Sequence, residues 1–192
     1  MKNEITANSL SGRALGALIL AGFGGAWLVL GEYVREQLSA AFFMGMAVFM
    51  LAVILASMIL FRRAKYARRE PDDPRIGKAF RGINTIQWIA IFIVASALHH
   101  YRHDEYTVSA IALIVGAHFL PLARIFQYRP HYVTGSVLMA WALWTAVAIP
   151  ADTMQGVCAI GTGIILWASA IITLLLALIS SGRHDVVQPI AG

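Results

Sequence analysis

A chain of 192 residues that is 59% hydrophobic and 13% charged lies far from the composition of a soluble domain, in which roughly a quarter of residues are charged. Its six long apolar runs leave no length for a separate soluble domain. The net charge of +5 would point to nucleic acid in a soluble protein, but here the cations gather in alternate gaps between apolar runs, so anionic lipid headgroups are the expected partner and nucleic acid is not.

The first run, residues 14–31, lacks a small-x-small cleavage site followed by soluble sequence and reads as a retained transmembrane helix. Ala17, Ala21 and Gly25 recur at four-residue spacing beside a parallel stripe of Gly22 and Ala26. Small side chains let helix backbones approach closely. The expected use is packing inside this bundle, with a homo-oligomer seam as the alternative. Weaker pairs of this kind are Ala41 with Gly45 and Ala159 with Gly163.

The second run, 38–61, leads into Arg62, Arg63, Lys65, Arg68 and Arg69 with no helix breaker before Pro71, so the helix is expected to continue past the bilayer to that point. The polybasic linker 62–82 is expected to lie on anionic headgroups and to anchor topology. In the third run, 83–100, Asn84 with Gln87 reads as a capping pair. It ends in the richest polar segment of the chain, His99-His100-Tyr101-Arg102-His103-Asp104-Glu105. A helix continuing through it would set His99/His103 and His100/Asp104 at i,i+4, the spacing of two metal ligands on one face. His99, His100, His103 and Asp104 are therefore the metal candidates, although a solvated loop explains them as well, because no zinc motif is present.

The fourth run, 107–126, contains His118, the one titratable side chain deep in a span, about 16 Å from the outer end. Such a group should face the bundle interior, either bonded structurally or lining a path. Pro121 follows, removing an amide donor and favouring a kink beside it. The fifth and sixth runs are 132–150 and 156–180. Asp152 with Gln155 reads as the cap of the sixth. Tyr33, Tyr101 and Tyr106 at outer ends, and Tyr128, Tyr132 and Trp88 at inner ends, read as interfacial anchors. Cys158 is the only cysteine, which excludes an internal disulfide or a thiolate-pair metal site.

Each run approaches the ~20 residues a helix needs to cross the hydrocarbon. With the N-terminus inside, thirteen of the fifteen Lys and Arg fall on the inner side, and only Arg35 and Arg102 fall outside. The positive-inside rule then gives N-in and C-in. The expected fold is an all-α, single-domain, polytopic bundle of six transmembrane helices, and the short loops and charge bias fit a bacterial inner membrane.

No constellation in the sequence supports catalysis. There is no Gly-x-Ser nucleophile paired with a histidine at equal depth, no intramembrane carboxylate pair, and no phosphate or dinucleotide fingerprint. Helix counting sets His118 more than about 10 Å in depth from His100 or His131, which excludes a bis-histidine haem, and no other cofactor is expected. Two classes remain: a transport or channel-like protein with a polar path near His118 and Pro121, and a scaffold, sensor or assembly partner.

Overall fold

The structure, a computed structural model, describes residues 6–68, 71 and 73–185, and is helical throughout. In chain order the helices are α1 (Ala7–Val34), α2 (Ala40–Ala64), α3 (Pro74–His100), α4 (Thr107–Ile125), α5 (Pro130–Ala148) and α6 (Ala151–Asp185), with one 3-10 turn at Asp104–Tyr106 leading into α4. Five of them, all but α5, are long and apolar enough to cross a membrane. The first turns of α5 carry His131, Tyr132, Thr134 and Ser136. Large apolar side chains point outward along these helices, among them Phe92 at 74% exposure and Met44 at 68%. In water such a surface would aggregate, whereas in hydrocarbon it is the ordinary exterior of a helical membrane protein.

Several helix ends differ from the sequence expectation. The second helix stops at Ala64 and does not run on to Pro71. The amides of Lys65, Tyr66 and Ala67 bond three residues back, to Arg62, Arg63 and Ala64, and the Arg68 carbonyl accepts from the Ala7 amide at 2.9 Å. The chain has turned back to satisfy one of the orphan donors at the start of α1. The third helix begins nine residues before the expected position. Asp73 caps it by accepting from the Arg75 amide at 2.8 Å, and Pro74 occupies its first turn. Asn84 and Gln87 are thus inside α3 and cap nothing, Trp88 lies mid-helix and not at an inner end, and Arg75, Lys78 and Arg81 ride on the first turns of α3.

Asp152 and Gln155 also form no cap. Ile149, held extended before Pro150, ends α5, and the Pro150 carbonyl accepts from the Thr153 and Met154 amides. Gln155 donates to the Asp104 carbonyl at 3.0 Å instead.

The chain divides into two compact units. The first contains α1 up to Gly22, α2 from Ala41, and α6 from Trp167. Its core consists mainly of small residues, including Ala14, Ala17 and Ala21 on α1, Val53, Ser57 and Leu60 on α2, and Ala170, Leu174 and Ala177 on α6. Ser57 donates to the Ala14 carbonyl at 3.4 Å. Trp167 stacks on Phe49 with ring centres 3.7 Å apart and donates its indole N–H to the Ala21 carbonyl at 3.0 Å.

The second unit contains α1 from Phe23, α3, α4, α5, and α6 up to Leu166. Here α1 and α6 run antiparallel: a Cβ on Gly31 would meet Ile160 and the Gly156 carbonyl, and one on Gly163 would meet Leu28 and the Gly24 carbonyl. The α4–α5 hairpin is closer still, since a Cβ on Gly135 would come within 2.6 Å of the Gly116 carbonyl. Ser109 and Thr145, both buried, face each other across this hairpin with hydroxyls 3.4 Å apart. Trp141 joins α5 to α6, donating to the Cys158 carbonyl at 3.1 Å with its ring over Gly161. No residue of α3 is buried; it packs on α4, with Phe80 against Phe126 at 5.8 Å.

Candidate functional site

His118 sits eleven residues into α4, about 16 Å along the helix from its start. A neutral imidazole carries one donor and one acceptor nitrogen. Its Nδ1 is buried and has no hydrogen-bond partner among the described residues. The ring packs edge-on to Phe119 at 6.0 Å; Phe119 also contacts the His131 ring at 5.5 Å, and His131 meets Tyr128 edge-on at 4.9 Å. Phe119 thus links two histidines that helix counting treats as unrelated. Pro121 is exposed, on a different face of α4 from buried Phe119 and Leu122. It leaves the Ala117 carbonyl without the amide that residue 121 would otherwise supply.

A second orphaned group escaped the sequence reading. Thr162 of α6 is 0% exposed and its Oγ1 has no hydrogen-bond partner among the described residues. A threonine in a helix ordinarily donates to the carbonyl four residues back, as Thr134 does to Pro130 at 3.2 Å. Because the sequence offers that local partner to every helical threonine, only the fold shows that Thr162 does not take it. The helices that carry both groups, and α5 beside them, hold no fixed charge near these positions: there is no Asp, Glu, Lys or Arg from Thr107 to Ala123, from Pro130 to Ala148, or from Thr153 to Gly182.

The polar segment between α3 and α4 is arranged differently from its expected i,i+4 geometry. α3 ends at His100, so His103 and Asp104 leave the helix and neither ligand pair forms on one face. His99 Nδ1 instead lies 2.9 Å from Asp104 Oδ1, and His103 Nδ1 lies 3.3 Å from Glu105 Oε1. The His100 ring packs against Tyr101 at 5.1 Å. Among the described residues no three His, Cys, Asp or Glu side chains come together as a metal site.

The cations that the sequence assigns to the inner side divide by position. Arg63 reaches across the first unit to α6, where Nη1 donates to Ser181 Oγ at 2.7 Å and to the Leu178 carbonyl at 3.4 Å; Arg13 Nη1 donates to Ser180 Oγ at 3.4 Å. Arg62, Lys65 and Arg68 are exposed, and Arg69 lies outside the described residues. The small-residue stripes are likewise unequal. Ala17, Ala21, Gly25, Ala159 and Gly163 are buried within the chain, whereas Gly22, Ala26, Ala41 and Gly45 are exposed. Tyr33, Tyr101, Tyr106 and Tyr132 are exposed near helix ends, as interfacial anchors require.

Comparison with protein-family models, with curated proteins and with solved structures finds no match to this chain.

Proposed function

We propose that the protein is a six-span transporter or channel of a bacterial inner membrane, with both termini inside, and that its polar path passes His118 in the second unit. The observation that carries this reading is the unpartnered, buried Nδ1 of His118. A structural histidine in hydrocarbon needs a partner to offset the cost of burial. A histidine facing a path takes water or solute as that partner. Pro121, one turn away, loosens the helix backbone beside it. On the inner face Arg62, Lys65 and Arg68 lie on anionic headgroups and fix orientation.

The test is His118→Ala in proteoliposomes. On the path reading, solute flux falls to the level of protein-free vesicles while thermal stability in detergent hardly changes, because Nδ1 has no protein bond to lose. If the parent protein carries no flux and the substitution costs ~1–3 kcal/mol of stability, the histidine is a structural bond and the scaffold alternative takes its place.

A further inference from the structure

His118 and Thr162 are the two side chains with a buried, unpartnered polar atom among the described residues. Both belong to the second unit, on α4 and α6, and each lies eleven residues from the outer start of its helix. Two cross-helix contacts support a common depth: Ser109 is level with Thr145 across α4 and α5, and Trp141, one turn inward of Thr145, reaches the Cys158 carbonyl on α6. One turn inward of Cys158 is Thr162, which places it within about one turn, or ~5 Å, of the level of His118.

Taking the path reading as its basis, we infer that His118 and Thr162 belong to one site near the middle of the membrane, and that this site takes a small uncharged hydrogen-bonding molecule rather than an ion. The hydroxyl offers one donor and two acceptors, and the imidazole nitrogen offers a donor or an acceptor according to tautomer. Neither carries a fixed charge. α4, α5 and α6 have no Asp, Glu, Lys or Arg at that level, and no helix within this unit starts or ends there to present a terminal dipole. An ion stripped of water would find a few neutral groups but no countercharge to offset the loss of its hydration shell. A neutral solute of the size of water, ammonia, urea or glycerol loses only hydrogen bonds, which these two groups can return.

The experiment compares the full-length protein with Thr162→Val and His118→Ala in proteoliposomes. Glycerol and urea entry is followed by light scattering, and K⁺, Cl⁻ and H⁺ currents are followed in planar bilayers. Thr162→Val keeps the side-chain shape and removes a hydroxyl that bonds nothing, so its melting temperature should stay level or rise. The expected result is uncharged-probe entry several-fold above protein-free vesicles, reduced at least fivefold by either substitution, with currents at bilayer baseline. Currents abolished by the substitutions would overturn the neutral-solute inference and leave the path intact. Probe entry that Thr162→Val does not change would overturn the shared site. Neither entry nor current above protein-free bilayers would overturn both this inference and the path itself.

Discussion

Three residues end helices in a backbone conformation that side chains resist. Glu36 after α1, Arg102 after α3 and Gln127 after α4 have φ of 55°, 61° and 49°. Each sits in a paired-bond helix terminus. The next residue's amide reaches back five positions, as from Tyr128 to the Ala123 carbonyl at 3.0 Å, and its own amide reaches back three, as from Gln127 to Arg124 at 3.4 Å. Glycine usually fills this position because it lacks the Cβ that makes the left-handed region costly. Gln127→Gly should therefore raise unfolding stability by about 0.5–1 kcal/mol, the relief of backbone strain exceeding the entropy that glycine adds to the unfolded chain. Gln127→Val should lower stability, and chemical denaturation in detergent micelles measures both. No glycine marks these three ends in the sequence, so the motif was not legible although the apolar runs stop close to them. His118 was legible because it is the one His, Asp, Glu, Lys or Arg that the sequence sets well inside an apolar run. Thr162 was not, because a hydroxyl declares its partner only in the folded chain.

At the scale of helices, the buried face of α1 follows a seam at Ala7, Leu10, Ala14, Ala17, Ala21, Gly24, Leu28 and Gly31, in steps alternating between three and four. α6 buries residues at the same spacing, Gly156, Ala159, Gly163 and Leu166 in the second unit and Ala170, Thr173 and Ala177 in the first. This 3.5-residue period suits left-handed packing at a crossing angle near 20°, rather than the pure four-residue stripe that Ala17, Ala21 and Gly25 suggest in the sequence. Small residues fill both seams because dispersion contacts, not escape from water, join helices in lipid. Among the described glycines, the tightest approach of a Cβ to a neighbouring helix backbone is between α4 and α5. Gly135→Ala drives a methyl group against the Gly116 carbonyl and within 3.1 Å of Phe119 Cβ, and should cost about 1–3 kcal/mol. Gly22→Ala, on the same logic, meets nothing within 4 Å and should be neutral or slightly stabilising. Thermal unfolding of the two variants side by side decides whether these glycines are placed by packing. Run length and hydropathy made six helices legible. Their ends depended on groups distant in sequence, such as the Arg68 carbonyl at Ala7, or on reading Asp73-Pro74 as a start signal as well as a stop.

For the whole molecule, the division of cations predicts sidedness, and two positions separate the orientations. In a Cys158→Ala background, Lys65→Cys should react with an impermeant maleimide only from the cytoplasmic side and Glu105→Cys only from the opposite side; reaction of both from one side contradicts the six-span arrangement. The central claim, however, is that the unpartnered nitrogen of His118 meets a wet path inside the membrane. Solid-state NMR of the ¹⁵N-histidine-labelled protein in lipid bilayers tests it most directly, with the His118 resonances assigned by their loss in His118→Ala. A path predicts proton transfer from water to the His118 Nδ1 resonance within milliseconds, and a change in that resonance on transfer to D₂O. A His118 signal that receives nothing from water and does not change in D₂O would mean a dry, structural histidine and would contradict the account.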